Sequence, residues 1–475
     1  MNRVDVDTAP PLVADLDGTL IRSDTLLECF WKGMGVAPVR TVATALRLFR
    51  RRAALKHALA EIARPEPGTI PLDEDVIALL ASARQQGRKV HLVSGATRGL
   101  VEEIAGLYGP FDGIDGSDRD GNLTAHRKAA RLTERFGHRG FDYVGDSVAD
   151  IPVWQAARKG FVARPRPAFL RLLKLKGLEP APVGAPWRTR DLLRALRPHQ
   201  WLKNMLLFLP LIAAHRTDAA GISAVVLGIV AFSALASSIY IVNDLIDLDA
   251  DRLHESKRNR PFASGRVPIK IGMAASLGLG LLGMALGAVL GGWMMLVLLV
   301  YLVSTLSYSM HLKRVRWVDV TMLAGLYTLR VVAGAVAGGV AASGWLFGFI
   351  FPVFLSLGCV KRLTELSRAR GDGFLPGRRY QPRDRDDLLN VSIISGIASV
   401  TVFVAYSLSD TAASLYDPVR ALWAVALLLS VWLVRMIWTG WKGQQDYDPI
   451  IFAITDRQGV VLVALSAALL LYSGT

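Results

Sequence analysis

The stretch Asn243-Asp244-Leu245-Ile246-Asp247-Leu248-Asp249-Ala250-Asp251 follows an apolar run, from about 221 to 242, that is long enough to cross a bilayer. Carboxylates are costly at membrane depth, so an acidic cluster where a span meets its loop indicates a functional site. On one helix, Asp244, Asp247 and Asp251 recur at i, i+3 and i+7 and share a face. Oxygen ligands so arranged suit Mg²⁺, which in turn suits phosphate or diphosphate. A solvated acidic loop is the alternative, but basic residues follow at once: His254, Lys257, Arg258 and Arg260.

Composition divides the chain into two halves. The 475 residues are 52% hydrophobic and carry a net charge of +15. The sequence is mixed and charged up to about residue 189, and long apolar runs dominate from about residue 201. We therefore expect a soluble domain followed by a membrane domain. The two cysteines, Cys29 and Cys359, lie one in each half and indicate no disulfide framework.

The apolar half divides into about nine predicted spans. Their bounds lie near 201–214, 221–243, 270–290, 292–309, 318–341, 344–360, 390–408, 419–437 and 458–473. The first span is short, and only a glycine turn near Gly291 separates the third from the fourth. We predict an all-α polytopic membrane domain over 191–475, joined to the soluble half by a basic, proline-rich linker over 164–190.

The distribution of Lys and Arg predicts the topology. Loops 244–270, 311–319, 361–387 and 435–457 carry several basic residues, whereas the alternate loops are short and carry few charges. This asymmetry follows the positive-inside rule, and it accounts for most of the positive charge without a nucleic-acid partner. Residues 1–14 lack a signal-peptide pattern. We therefore expect a multi-pass protein of the inner (cytoplasmic) membrane, with the N-terminal domain in the cytoplasm and the C-terminus on the opposite side.

The acidic stretch, the nine predicted spans and the basic loops resemble the UbiA superfamily of intramembrane transferases. Further segments resemble one branch of it, the decaprenyl-phosphate phosphoribosyltransferases. These segments are Arg197-Pro198-x-Gln200-Trp201-x-Lys203-Asn204, Lys257-Arg258-x-Arg260-Pro261, Tyr308-Ser309-x-x-Leu312-Lys313 with Asp319, Arg330-x-x-Ala333-Gly334, Lys361-Arg362-x-x-Glu365, and Asp448-Pro449 with Asp456. The resemblance covers essentially all of 190–475 and implies a helical fold whose lipid-open cavity holds a polyprenyl chain.

One segment departs from the aromatic prenyltransferases of this superfamily, which usually carry a second aspartate-rich motif after the sixth span. Here that place reads Lys361-Arg362-Leu363-Thr364-Glu365. Lys and Arg bind phosphate directly, so we expect one metal-bound diphosphate and additional phosphate groups. Phosphoribosyl diphosphate and a polyprenyl phosphate supply that combination. Cations that snorkel at a cytoplasmic span end are the alternative for Lys361 and Arg362.

The resemblance also implies roles for individual residues. Asp244, Asp247 and Asp251 are expected to hold Mg²⁺ and so to serve catalysis, because the ion neutralises charge on the leaving diphosphate. A lipid phosphate is already anionic near neutral pH, so catalysis is largely positioning and electrostatics. The residues expected to bind substrate are Asn243, Lys203, Lys257, Arg260, Tyr308, Lys313, Lys361, Arg362 and Glu365.

The N-terminal half carries a second signature of four motifs in order. The motifs are Pro11-Leu-Val-Ala-Asp15-Leu-Asp17-Gly18-Thr19-Leu20, Val90-His-Leu-Val-Ser94-Gly95-Ala96, Lys128, and Phe141-Asp-Tyr-Val-Gly145-Asp146-Ser147-x-x-Asp150. Three of them read as apolar strands that end in polar side chains, and strand ends in open α/β sheets are where ligands bind. Together they resemble the haloacid dehalogenase superfamily, which implies a Rossmann-like α/β domain over 1–163.

By that resemblance, Asp15 is the nucleophile that forms an aspartyl-phosphate, and Asp17 is the general acid and base. Ser94 and Lys128 are expected to hold the phosphoryl group. A second Mg²⁺ is expected here, ligated or supported by Asp15, the carbonyl of Asp17, Asp146 and Asp150.

Residues from about 25 to 85 have a mostly helical pattern that resembles a cap over this site. A basic run lies within it, made of Arg47, Arg50, Arg51, Arg52 and Lys56. A solvated face and a contact with anionic lipid headgroups are both open readings of this run.

Three functions follow from these motifs. The first is a bifunctional enzyme that transfers 5-phosphoribose from phosphoribosyl diphosphate to polyprenyl phosphate and then removes the 5-phosphate. The second is an aromatic prenyltransferase that uses a polyprenyl diphosphate donor, with a phosphatase domain of separate role. The third is an N-terminal domain that regulates or docks without chemistry. We favour the first, because the second aspartate motif is missing and the Asp15 and Asp17 pair is complete. The expected partners are both substrates and the bilayer, and a homo-oligomer is compatible with the sequence.

Overall fold

The structure is a computed structural model that describes residues 9–118, 121, 123–216, 218–369, 374–375, 378–445 and 448–474. The chain forms two compact units. The first comprises Met1–Leu196 and Tyr240–Ser276, and the second comprises Arg197–Ile239 and Leu277–Thr475. The sequence predicted contiguous domains, whereas here the segment that begins with the acidic stretch packs with the N-terminal half.

A six-stranded parallel sheet forms the centre of the first unit, in the order β3-β2-β1-β4-β5-β6. The strands are β1 Leu12–Ala14, β2 Val90–Thr97, β3 Gly113–Ser117, β4 Asp142–Gly145, β5 Lys159–Ala163 and β6 Ala181–Val183. Strands β1, β2 and β4 are buried along their whole length, as is typical of a parallel sheet covered on both faces. The parallel α/β fold expected from the sequence is confirmed.

The register of β1 places the functional motifs at one edge of the sheet. Leu12 pairs with Val90 of β2 on one side and with Asp142 of β4 on the other. β2, the next strand along the chain, lies on one side of β1, and β4 lies on the other. The strand order therefore reverses between β1 and β4. Ligands bind at the carboxyl ends of strands at such a point.

Helices cover this sheet. They are α1 Thr25–Val36, α2 Pro38–Leu48, α3 Arg52–Ile62, α4 Glu74–Gln85, α5 Arg98–Tyr108, α6 His126–Phe136, α7 Ile151–Ala156, α8 Pro167–Leu175 and α9 Thr189–Ala195, with 3-10 turns at Pro67–Thr69 and Val148–Asp150. The expected helical interval 25–85 is therefore filled by α1, α2, α3 and α4. The predicted linker interval, 164–190, contains α8 and also β6, which pairs with β5.

The remaining elements are helical. They are α10 Leu209–Ala213, α11 Ala219–Ile246, α12 Leu248–Leu253, α13 Ile269–Leu290, α14 Gly292–Met310, α15 Arg316–Gly338, α16 Gly344–Arg368, α17 Arg385–Ser407, α18 Asp410–Leu415, α19 Arg420–Trp441, α20 Pro449–Thr455 and α21 Arg457–Tyr472, with 3-10 segments at Pro198–Phe208, Lys257–Asn259, Leu312–Arg314 and Pro382–Asp384.

Seven helices among the described residues are long and apolar enough to cross a membrane. The predicted count of nine is not confirmed by these helices. The last predicted span corresponds to α21, an apolar helix of 16 residues. The first, 201–214, is a 3-10 segment followed by the five-residue α10. The helical, polytopic class of this half is confirmed.

Close packing in the second unit depends on glycine. A Cβ on Gly334 of α15 would lie 2.0 Å from the carbonyl oxygen of Leu207, and one on Gly338 would lie 2.1 Å from a Leu211 side-chain carbon. Small residues allow helix backbones to approach this closely in membrane proteins. Gly334 and Gly338 therefore permit the close packing of α15.

Candidate active sites

A buried polar cluster lies where β1 and β4 end. Lys128 of α6 is 3% exposed, and its Nζ lies 3.0 Å from Asp15 Oδ1 and 3.5 Å from Asp150 Oδ1. The same Nζ donates to the hydroxyl of Tyr143 at 3.0 Å, and that hydroxyl donates to Asp150 at 2.6 Å. The structure thus brings together residues from three of the four motifs, and it adds Tyr143, which had no predicted role.

Negative charge exceeds positive charge in this cluster. Burial raises the pKa of Asp15, and Lys128 only partly opposes the rise. Burial also raises the pKa of Asp146 well above its usual value, and the nearby carboxylates of Asp150 and Asp15 add to the effect. Buried carboxylates with raised pKa values are stabilised by a cation.

The donor set fits Mg²⁺. Asp15, Asp146 and Asp150 each offer an oxygen, these oxygens lie within 4.8 Å of one another, and all-oxygen sites suit this ion. Asp150 has a second task, because its Oδ2 accepts from the backbone N–H groups of Asp146 and Ser147 at 3.2 and 3.1 Å. Asp150 therefore shapes the loop that carries Asp146.

Gly18 permits this arrangement. Its φ is +72°, and a Cβ there would lie 2.2 Å from Asp146 Oδ2. Only glycine combines that backbone conformation with room for the carboxylate.

Asp17 is held by the start of α1. Its Oδ1 accepts from the backbone N–H of Thr25 at 2.8 Å, and its Oδ2 accepts from the Thr25 hydroxyl at 3.1 Å. Burial, together with the nearby carboxylate of Asp24, raises the pKa of Asp17 to about 7. A carboxyl group poised near neutral pH is suited to both give and take a proton.

Ser94 and Lys56 lie at the second strand. Ser94 is fully buried within β2, and its hydroxyl accepts from the backbone N–H of Ala96 at 3.0 Å. Lys56 of α3 donates to the carbonyl of Gly95, and burial lowers its pKa. In the sequence, Lys56 belongs to a basic run, and the arginines of that run are exposed. Lys56 is half-buried, and only the packing of α3 distinguishes it from those arginines.

The acidic stretch spans the end of α11 and the first four residues of α12. The helix is interrupted at Asp247. The backbone N–H of Asp247 still donates to the carbonyl of Asn243 at 3.0 Å, and that of Asp251 donates to the carbonyl of Asp247 at 2.8 Å. The expectation of one continuous helix was therefore wrong at this residue. Asp244 and Asp251 are buried, at 3% and 2% exposure.

Arg260 joins these two carboxylates. Its Nη1 lies 3.1 Å from Asp244 Oδ1 and 2.7 Å from Asp251 Oδ2. A cationic group thus occupies the place between carboxylates that were predicted to share a metal. Nearby, the side-chain oxygen of Asn243 is buried and lacks a hydrogen-bond partner within the described part of the chain. An orphaned buried acceptor together with paired carboxylates is compatible with a cation and its ligands.

A second charged cluster lies in the second unit. Lys203 Nζ forms an ion pair with Asp448, and Lys361 Nζ lies 3.8 Å from the same carboxylate. The three side chains are 9%, 18% and 12% exposed, for Lys203, Lys361 and Asp448 respectively. Burial would raise the pKa of Asp448, but the two lysines outweigh burial and lower it to about 2. Two cations thus share one anion in a sheltered place.

Arg362 and Glu365 form an ion pair inside the helix bundle. Arg362 is fully buried, and its guanidinium binds Asp319 through two bonds of 2.5 and 3.0 Å and Glu365 through one of 2.7 Å. Tyr308 donates to Asp319 at 2.8 Å and accepts from Arg362 at 3.0 Å. Arg362 is thus engaged by two carboxylates and a hydroxyl inside the helix bundle, and the phosphate contact expected of it stays a prediction.

A buried arginine on α15 had no predicted role. Arg330 is 5% exposed, donates from Nε to Asn204 at 3.0 Å and from Nη2 to the Tyr301 hydroxyl at 3.3 Å, and its Cζ lies 5.4 Å from the ring centre of Phe232. Charged groups inside membrane bundles mark functional places by default. The motif Arg330-x-x-Ala333-Gly334 was the sequence signal for it.

The other two predicted binders lie in short 3-10 segments. Lys257 is exposed in the 3-10 segment Lys257–Asn259, and Lys313 is half-buried in the segment Leu312–Arg314.

Fold and sites together define a membrane-embedded helical transferase domain joined to an α/β domain of phosphatase type. Residues 205–454 match the UbiA prenyltransferase family, and residues 12–155 match the haloacid dehalogenase-like hydrolases. The chain belongs to the UbiA prenyltransferase family and carries an N-terminal haloacid dehalogenase-like domain. It is accordingly a multi-pass membrane protein.

The protein y4nM of Sinorhizobium fredii, described as uncharacterised, is 37% identical over 97% of this chain and 90% of its own length, and so spans both halves. The decaprenyl-phosphate phosphoribosyltransferase of Mycobacterium tuberculosis is 36% identical over 38% of this chain and 61% of its own length. A solved UbiA homologue from Archaeoglobus fulgidus, bound to DMAPP and Mg²⁺, covers 58% of this chain and 98% of its own, at 17% identity and a TM-score of 0.46.

Proposed function

We propose that the UbiA domain transfers 5-phosphoribose from phosphoribosyl diphosphate to a polyprenyl phosphate. The observation that carries the proposal is the pair of sheltered lysines, Lys203 and Lys361, that share the single carboxylate of Asp448. Their excess positive charge suits a phosphate group that needs no metal. The likeness to the phosphoribosyltransferase of Mycobacterium tuberculosis supports the same substrates.

In this reaction a lipid phosphate oxygen attacks the anomeric carbon of the ribose. The new C–O bond forms as the bond to diphosphate breaks, and the electron pair leaves with the diphosphate. Mg²⁺ bound by the acidic stretch would neutralise charge on that leaving group. Asp244, Asp247 and Asp251 would hold the ion, and Lys203 and Lys361 would orient the attacking phosphate.

We propose further that the haloacid dehalogenase-like domain removes the 5-phosphate from the lipid-linked product. Asp15 attacks the phosphorus, Asp17 protonates the departing ribose oxygen, and Asp17 then takes a proton from the water that hydrolyses the aspartyl-phosphate. Lys128 lies 3.0 Å from Asp15 and would hold the phosphoryl oxygens with Ser94. Tethering raises the effective concentration of one site's product at the other.

The test supplies purified protein with radiolabelled phosphoribosyl diphosphate, polyprenyl phosphate and Mg²⁺. The expected result is label in the lipid fraction that depends on all three. The competing reaction is the coupling of a prenyl diphosphate to 4-hydroxybenzoate. A protein that carries out this coupling and ignores phosphoribosyl diphosphate is an aromatic prenyltransferase, and the proposal is then wrong.

The lysine pair gives a separate prediction. Lys203→Met and Lys361→Met should each raise the KM for polyprenyl phosphate about tenfold or more, because each removes a sheltered charge that would bind the phosphate. Lys442→Met is the matched control, since Lys442 is exposed and lies over the Trp438 ring. An unchanged KM in both variants, measured in initial-rate assays, contradicts the assignment of this cluster to the phosphate.

We propose that the N-terminal half faces the cytoplasm, on the evidence of the basic loops. A reporter inserted within 409–418 should then be periplasmic and one at Met1 cytoplasmic. A reporter after Thr475 should be periplasmic if the number of spans is odd. Fusions to alkaline phosphatase and to green fluorescent protein measure the side of each position, and termini on the same side exclude nine spans.

A further inference from the structure

An ion pair within the first unit joins α1 to the acidic stretch. Arg252 of α12 binds Glu28 of α1 through two bonds, of 2.5 and 3.1 Å. The two side chains are 4% and 2% exposed. Ser23 also donates to Glu28, and the Nε of Arg252 donates to the carbonyl of Ala263 at 3.2 Å. This is a bidentate, buried ion pair, in which both charged groups are shielded from solvent and both have further hydrogen-bond partners.

The Glu28 end of this pair adjoins the phosphatase-like site. Glu28 lies in the first turn of α1, and Thr25, the first residue of that helix, binds both oxygens of Asp17. The first turn of α1 therefore contacts both Asp17, through Thr25, and Arg252, through Glu28.

The Arg252 end adjoins the transferase carboxylates. Arg252 follows Asp251 directly in the sequence, and Arg260 joins Asp251 to Asp244. The position of α12 thus sets how these two carboxylates meet. Asp251 and Arg252 lie on the same six-residue helix, which is too short to be stable without tertiary contacts.

Weaker contacts lie around this ion pair, and Arg252 Nη1 itself also lies 3.6 Å from Asp249 Oδ1. Lys32 Nζ lies 2.7 Å from Asp249, and Lys270 Nζ lies 2.8 Å from Asp24. Gly265, at φ +65°, packs so closely that a Cβ there would lie 2.5 Å from the Cβ of Arg22. Both lysine side chains are more than a third exposed, at 72% for Lys270 and 35% for Lys32. These two ion pairs therefore contribute little to stability by themselves.

We propose that Glu28, a residue of the phosphatase-like half, is a positioning residue for the transferase. Through Arg252 it fixes α12, and α12 places Asp251 beside Arg260 and Asp244. The transferase thus requires its fused phosphatase-like fold for the geometry of its acidic stretch, apart from any phosphatase chemistry. The inference rests on the proposed function only in taking the acidic stretch as part of the transferase site.

The variants Glu28→Met, Arg252→Met and the double variant test this inference. Each single change leaves one buried charge without its partner, whereas the double change replaces the pair by side chains of similar length. We expect each single variant to lose transferase activity about tenfold or more, with a higher Mg²⁺ concentration at half-maximal rate, and the double variant to recover most of it. Lys32→Met is the matched control and should stay within about twofold of wild type.

Hydrogen exchange of the full-length protein, followed by mass spectrometry without substrate or metal, gives an independent measurement. The backbone amides of 248–263 should exchange faster in each single variant and return toward wild type in the double variant. Wild-type exchange in Glu28→Met overturns the proposal, as does a folded double variant whose exchange and activity match the singles. Wild-type protein without any phosphoribosyl transfer would instead overturn the proposed function, and the exchange measurement still decides the role of Glu28.

Discussion

Asp244→Ala is expected to abolish the Mg²⁺-dependent formation of lipid-linked phosphoribose, with a loss of about a thousandfold or more. Asp244 is 3% exposed and meets Arg260 at 3.1 Å, so its charge lies inside the cluster that is proposed to hold the ion. Removing it takes one of the three proposed carboxylate ligands from the ion and leaves Arg260 with one carboxylate fewer. Asp247→Ala should act in the same direction. The measurement is radiolabel from phosphoribosyl diphosphate recovered in the lipid fraction over a range of Mg²⁺ concentrations.

Asp249→Asn is the matched control for this experiment. Asp249 lies in the same stretch but is 22% exposed, pairs with Lys32 and lies 3.6 Å from Arg252, which Glu28 binds more closely, so its loss should change the rate by less than about threefold. Full activity of folded Asp244→Ala protein, at Mg²⁺ levels that saturate the wild type, would show that the acidic stretch does not hold the metal.

Asp15→Asn should make the lipid-linked 5-phosphoribose accumulate, whereas wild-type protein should yield the dephosphorylated lipid-linked ribose. An amide does not form the aspartyl-phosphate, so the expected loss of phosphatase activity is about a thousandfold or more. The change is nearly isosteric, and it removes one of the carboxylates that crowd Asp146, so the fold should persist. Mass spectrometry of the extracted lipids distinguishes the two products by one phosphate group.

The transferase rate is the internal control for Asp15→Asn. Asp15 binds Lys128 and the backbone N–H of Leu16, and neither contact involves the acidic stretch. Total label in lipid should therefore equal that of wild type. Identical lipid products from the two proteins would refute the proposed coupling and leave the phosphatase-like domain with a different substrate.

The sequence indicated which residues of the phosphatase-like motifs lie together, because each motif is local. Asp15 follows β1, Asp146 follows β4, and parallel strands deliver their carboxyl ends to one edge. Once a parallel sheet is expected, these residues must lie near one another. Gly18 follows the same logic, since a tight turn after β1 requires its conformation.

The membrane half was predictable as a class but not in detail. Apolar length alone marks helices such as α13 and α14, whose bounds differ by at most one residue from the predicted spans. The segment 201–214 is not confirmed as a span helix, because it forms a 3-10 segment and a short α-helix, which hydropathy does not distinguish from one long α-helix. Pro198 and Pro210 cannot donate backbone hydrogen bonds, and their positions indicated that helical segments start there.

The sequence by itself determined the class of each half, the order of the motifs and the sites at strand and helix ends, because these depend on periodicity and on neighbours in the chain. Only the tertiary structure decided how distant charges pair. It assigns Arg362 to Asp319, Lys203 to Asp448 and Arg252 to Glu28. Any lysine or arginine suits a phosphate or a carboxylate equally well in the sequence. Packing settles the choice, because a buried charge must find its partner within reach, however far apart the two residues lie along the chain.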